Sequence, residues 1–99
     1  MTWQILFHPL VLNEDFPAID KSKQKEILKA IRRKLSLDPY SYGKPLLGEL
    51  KGYWRLRVGD YRVIYRIEKS RIEAYVIKVG IRRDFKVYSD MLKRLKNVW

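Results

Sequence analysis

Tyr53-Trp54-Arg55-Leu56-Arg57-Val58-Gly59-Asp60-Tyr61-Arg62-Val63-Ile64-Tyr65-Arg66-Ile67 reads as two short β-runs joined at Gly59-Asp60. Apolar and polar residues alternate with the period of a strand, and the Gly-Asp pair is a two-residue turn signal. The alternation puts Arg55 and Arg57 on one pleat face and predicts Arg62 and Arg66 on another. Cations held in order on a sheet suit a phosphate-bearing ligand.

The elements on either side follow from the same reasoning. Trp3 to Phe7 is a predicted strand closed by Pro9. Leu12, Phe16 and Ile19 recur at helical spacing, with Pro17 shortening or bending that helix. A clearer helix carries Ile27, Leu28, Ile31 and Leu35 as its apolar stripe, with Asp20 or Ser22 as cap, and Lys21, Lys23, Lys25, Lys29, Arg32, Arg33 and Lys34 on the opposite face. Asp38-Pro39 stops it, because a residue before proline is pushed out of the helical region. Tyr40 to Gly52, with its three glycines and Pro45, reads as loop. A further strand runs over Ile72 to Val79 after a turn at Glu68 to Arg71. Asp84 to Val98 is a basic helix with Met91, Leu92, Leu95 and Val98 as apolar positions. The expected fold class is α+β, ordered β-α-α-β-β-β-α, with a mainly antiparallel four-stranded sheet packed against the N-terminal helices.

Length and composition set the limits. The 99 residues suit one domain, spanning 1–99, whose function lies on an open face or groove. The 22 Lys plus Arg against 11 Asp plus Glu give a net charge of +11, which favours nucleic acid or an acidic partner. At 46% hydrophobic residues, the chain folds and holds its cations in place. Cysteine is absent, which removes disulfides, thiolate catalysis and cysteine zinc sites and fits a reducing, cytoplasmic setting. Met1 to Phe7 lacks the pattern of a signal peptide, and no apolar run reaches the roughly 20 residues of a membrane helix. No metal constellation, phosphate-binding glycine loop or cofactor motif is expected.

The order of elements, together with Leu50-Lys51-Gly52, Arg55-Leu56-Arg57-Val58-Gly59-Asp60-Tyr61-Arg62 and a late Gly80-x-Arg82 leading to Tyr88, resembles the RelE/ParE superfamily of toxins from type II toxin–antitoxin systems. The resemblance covers almost the whole chain. It implies a RelE-like fold and, in the RelE-type branch, a ribosome-dependent, metal-independent endoribonuclease. Such a toxin cuts mRNA by attack of the ribose 2′-hydroxyl on the adjacent phosphate. The ParE-type branch instead poisons DNA gyrase, and a shared fold does not choose between them. Arg82 and Tyr88 standing together favour the nuclease.

By the same resemblance, Arg62 lies against the scissile phosphate, Arg82 contacts the phosphate or leaving group, and Tyr88 stacks on a base or orients the attacking hydroxyl. Arg55 and Arg57, with Lys44, Lys51, Arg83 and Lys86, form the RNA-binding set. Partners implied are a RelB-like antitoxin whose acidic segment wraps the toxin, the ribosome and mRNA, with neither a membrane nor a small-molecule cofactor. Ile81 stands where many relatives carry a histidine. His8, the single histidine, is read as a capping or packing residue. Bland alternatives stand beside these roles: Arg62 pairing with Glu73 or Asp60, Arg55, Arg57 and Arg66 as solvated cross-strand residues, and Tyr88 as a helix anchor.

Overall fold

The computed structural model describes residues 2–81 and 86–98, and the side chains of all of these except 86, 87 and 96–98. Five strands, β1 (Gln4–Phe7), β2 (Lys44–Pro45), β3 (Tyr53–Val58), β4 (Tyr61–Glu68) and β5 (Glu73–Ile81), form one sheet in the order β1-β5-β4-β3-β2. The sheet therefore has one strand more than the four expected. The addition is β2, two residues pairing Lys44 with Arg55 and Pro45 with Trp54, too short to leave a periodic signal. The β3-β4-β5 meander is antiparallel, whereas β1 joins β5 in parallel, Gln4 opposite Glu73 through Phe7 opposite Val76.

Gly59 opens the hairpin turn at φ +58, while Asp60 keeps a negative φ. Positive φ at the first central residue alone is the sign pattern of a type II′ turn, whose twist matches that of the strands it joins. With two residues in the turn, Val58 faces Tyr61, Arg57 faces Arg62 and Tyr53 faces Arg66. Directly opposed residues project from the same side of a sheet. Arg55, Arg57, Arg62 and Arg66 thus share one face, correcting the expectation that they divide between two. Period two fixes sides within a strand, but cross-strand register fixes them between strands.

Helices cover both faces. On the face opposite the arginines, helical turns at Val11–Asp15 and Phe16–Ala18 and helix α1 (Lys21–Ala30), continued by a wider turn at Ile31–Leu35, bury Val11, Phe16, Ile19, Ile27, Ile31 and Leu35 against Leu56, Val58, Val63, Tyr65, Val76 and Val79. Each fully buried aliphatic side chain contributes about 1.5–3 kcal/mol. Leu12, expected in the apolar stripe, is instead half exposed, because the turn at Val11–Asp15 is π-wound and swings it to the surface. Gln24 ties α1 to the preceding turns by donating to the Phe16 and Ile19 carbonyls at 2.6 and 2.7 Å. Asp20 takes the N-cap position, accepting from the Ser22 hydroxyl.

The stretch 40–52, expected as loop, is more ordered than that. Asp38 caps a four-residue helix α2 (Pro39–Tyr42), accepting from the Tyr40 and Ser41 amides at 3.0 and 3.2 Å, and a short turn at Gly48–Leu50 follows β2. Beneath α2, the buried Tyr65 hydroxyl donates to the Pro39 carbonyl at 2.6 Å, and burial pushes its phenol well above the ordinary value. On the arginine face, helix α3 (Lys86–Val98) packs Met91, with Tyr88 and Leu95 partly buried, against Ile64 and Ile77. No helix of the described residues is long and apolar enough to cross a membrane.

His8 behaves as its place at the end of β1 suggests. It is fully buried, and its Nδ1 accepts the Leu10 amide at 3.1 Å, satisfying a donor at the start of the first helical turn. Burial, reinforced by the nearby Arg94 guanidinium and opposed by Asp15, depresses its pKa. Between the folded and unfolded values only the unfolded chain binds the proton, so His8 contributes full stability above about pH 6.5 and loses it as pH falls. Denaturant titrations at pH 7.5 and 5.5 are expected to show lower stability at 5.5, with the difference reduced in His8→Gln. Equal stability at the two values would contradict this account.

Candidate functional site

The hairpin register assembles the site. Arg57 and Arg62 stand directly opposite each other, Lys44 stands opposite Arg55, and all four issue from the face that carries α3. Opposed residues in an antiparallel pair have Cα atoms about 4.5–5.5 Å apart, so the two arginines issue from neighbouring points of the sheet. Like charges directly opposite are destabilising, a cost that an anion held between them removes. The residue opposite Arg62 on β5 is Gly80, so no side chain crowds the guanidinium from that strand.

Tyr88 enters from the first half of α3. Its hydroxyl accepts a hydrogen bond from Arg62 Nη1, and the Arg62 guanidinium carbon lies 5.3 Å from the centre of its ring. A residue 26 positions away in sequence thus meets the hairpin arginine in a contact that combines hydrogen bonding and cation–π attraction. Arg62 Nε is buried without an acceptor, and among the described residues Arg62 forms no ion pair. The alternative in which Glu73 or Asp60 neutralises it is therefore not what the chain adopts. Arg66, farther along the face, lies over the Tyr75 ring at 5.1 Å.

The other expected residues fall in three groups. Arg55 is half-buried, while Arg57 and Lys44 are exposed, and all three belong to the same basic band. Lys51 is exposed in the turn leading into β3, outside the strand register. Arg82 and Arg83 lie outside the described residues; Lys86 begins α3, but its side chain is also outside them. Tyr53 packs beside Ile64 and Ile77, and Trp54 packs on the opposite core with its ring edge-on to Tyr40, so both serve packing.

An open groove of about 630 Å³ runs between α1 and the hairpin, lined by Lys29, Arg33, Lys34, Tyr42 and Arg57. It contains neither Arg62 nor Tyr88, so it is separate from the arginine–tyrosine contact; Arg57 lines it and pairs with Arg62 in the strand register. The cationic face of α1 expected from sequence forms one wall.

Two residues that sequence reasoning passed over complete the surroundings. Asp15 is buried and accepts from Arg94 Nη1 and Nη2 at 2.8 and 2.9 Å, Lys78 Nζ at 2.9 Å and the Val79 amide at 2.9 Å. Burial alone would raise its carboxyl, but the bonds from Arg94, Val79 and Lys78 prevail and hold it below the usual range. The signal was present in the spacing: Val11, Asp15 and Ile19 follow at four-residue intervals, placing a carboxylate in the core-facing row.

Comparison with known proteins bears on the family and the fold. A family model described as the ParE toxin of the type II toxin-antitoxin system parDE matches residues 5–84. Toxin RelG of Mycobacterium tuberculosis is 40% identical over 50 residues, which are 50% of this chain and 58% of that protein. The chain spans about half the length of the relatives it matches by sequence. Among solved structures, the toxin-antitoxin complex RelBE2 of Mycobacterium tuberculosis superposes with a TM-score of 0.78 at 26% identity, covering 85% of this chain and 95% of that one. The archaeal RelE-RelB complex of Pyrococcus horikoshii gives 0.65 at 25% identity, covering 83% and 97%.

Proposed function

The chain belongs to the ParE toxin family of type II toxin–antitoxin systems, within the RelE/ParE superfamily, and on that footing we propose that it is a ribosome-dependent, metal-independent mRNA endoribonuclease. The observation that carries the reading is Arg62, opposed by Arg57, free of any ion pair among the described residues and bonded to Tyr88. Attack of a ribose 2′-hydroxyl on the adjacent phosphate builds up charge on the phosphorane oxygens. Preorganised guanidiniums stabilise that charge, and each can bind two oxygens at once. A guanidinium does not release its proton near neutrality, so the arginines act as electrostatic partners rather than as proton carriers. Tyr88 presents a ring for base stacking and a hydroxyl already aligned on Arg62. Arg82 is the second phosphate contact in this proposal. Arg55, Arg57, Lys44, Lys51, Arg83 and Lys86 hold the RNA on either side.

The same reading gives the protein two kinds of partner. A RelB-like antitoxin with an acidic segment fits the cationic surface, and related toxins have been solved as RelB complexes. The ribosome and its mRNA supply the substrate, which places the protein in the cytoplasm. Primer extension on a defined message programmed into ribosomes tests the proposal. Cleavage is expected on ribosomes and not on free message, leaving a 2′,3′-cyclic phosphate and a 5′-hydroxyl. Tyr88→Phe is expected to retain stacking but lose the hydroxyl, and to cleave about tenfold more slowly, the loss that corresponds to one hydrogen bond to a charged group worth about 1.5 kcal/mol. Absence of cleavage by folded wild-type protein would end the nuclease reading. The ParE name of the matching family model favours a second reading, inhibition of DNA gyrase, and a supercoiling assay decides it in that event.

A further inference from the structure

Helix α3 is fastened to the rest of the molecule at a point remote from Tyr88. Arg94, 4% exposed in its side chain, sends Nη1 and Nη2 to the buried Asp15 carboxylate and donates from Nη1 to the Ile77 carbonyl at 2.8 Å. Nη2 also lies 3.6 Å from Glu14 Oε2. The Ile77 carbonyl is available for a structural reason. Ile64 pairs with Lys78 and Tyr65 with Val76, so Ile77 is the extra residue of a β-bulge, left without a partner in the β4-β5 ladder. Asp15 meanwhile accepts the Val79 amide of the same strand, one residue before Gly80, which faces Arg62.

We infer that Asp15, Arg94 and the Ile77 bulge form a joint that sets the rotation of α3 and thereby holds the Tyr88 hydroxyl on Arg62; Asp15 and Arg94 are positioning residues for the site. A helix resting on apolar contacts alone, here Met91 and Leu95 against Ile64 and Ile77, retains freedom to roll. A bidentate guanidinium–carboxylate pair with a third bond to a fixed carbonyl removes that freedom, because the planar fork accepts one orientation. Tyr88 and Arg94 are six residues apart on one rigid helix, so a roll at Arg94 appears in full at Tyr88. Asp15 thus links three elements, the turn at Val11–Asp15, β5 and α3, beside the pair Arg62 and Tyr88.

The inference rests on the assignment of Arg62 and Tyr88 to the site, so its test has a readout besides cleavage. Wild-type protein labelled with 3-fluorotyrosine gives a ¹⁹F resonance for Tyr88, identified by its loss in Tyr88→Phe. Two variants loosen the joint. Arg94→Lys keeps a cation but loses the fork. Asp15→Leu combined with Arg94→Met replaces the bidentate pair with apolar groups, so that neither of its two charges is buried alone; Lys78, which also loses Asp15, keeps part of its side chain in solvent. In folded variants the Tyr88 resonance is expected to move and broaden, and kcat to fall about tenfold to a hundredfold with KM little changed, as misplacement of a positioned group predicts. An unmoved resonance in either folded variant would overturn the inference, as would a moved resonance with unaltered cleavage. Failure of both variants to fold would overturn it too, by making the joint part of global stability. If wild-type protein cleaves nothing yet the resonance moves, the joint stands and the nuclease reading falls.

Discussion

Replacing Arg62 with alanine is expected to lower ribosome-dependent cleavage by about 10²–10³-fold, the loss seen when one preorganised donor to a transition-state oxyanion is removed. The loss should fall on kcat, because the charge Arg62 meets is largest in the transition state. Stability should change by less than about 1 kcal/mol, since the variant loses a contact with Tyr88 but also relieves the repulsion of Arg57 directly opposite. Arg62→Lys keeps the charge without the fork and should fall between the two. Single-turnover cleavage, with a melting curve of each variant, separates these effects. An Arg62→Ala protein that cleaves within a few-fold of wild type would remove Arg62 from the chemistry.

Gly43→Ala is expected to cause the largest loss of stability, at a position away from the chemistry. Its φ of −103 is open to any residue, so the requirement for glycine is spatial. A Cβ built there would lie 1.8 Å from the Tyr65 hydroxyl oxygen, 2.8 Å from its Cζ and 2.9 Å from the Arg55 carbonyl oxygen. None of the three can yield cheaply: Tyr65 is fully buried with its hydroxyl on the Pro39 carbonyl, and Arg55 belongs to the β2-β3 ladder. Overpacking of this kind costs about 3 kcal/mol, a large share of a small domain's total stability. Urea unfolding checks the value. Tyr65→Phe removes the nearest atom but leaves the ring carbon, so the Gly43→Ala, Tyr65→Phe double variant should recover part of the loss. A Gly43→Ala protein as stable as wild type would show that the α2–β2 corner is looser than its contacts imply.

The elements legible in the sequence were those with a period. The β3-β4 hairpin, the apolar row Ile27, Ile31 and Leu35, and the Met91–Leu95 side of the last helix each repeat in a way that local physics turns into a buried face. What escaped had no period to show. A two-residue strand at Lys44–Pro45 exists only because β3 offers it an edge, and α2 exists because Asp38 supplies a cap to four residues. The common face of the four arginines was within reach, since a two-residue turn pairs odd positions on one strand with even positions on the other. Arg62 and Tyr88 came to attention through family resemblance, and their meeting depends on how α3 lies across the sheet, which no local pattern encodes. Asp15 and Arg94 were hidden for a related reason: the value of each depends on the other, and they lie at opposite ends of the chain.

The parallel pairing of β1 with β5 has a bearing on how the molecule comes into being. Strand β1 must wait for residues 73–76 to be synthesised before it has a neighbour, and contacts of that sequence separation are slow to form. Arg62 is completed later still, needing Gly80 at its side and Tyr88 from the final helix. Translation must therefore pass residue 88 before the contact between Arg62 and Tyr88 can exist.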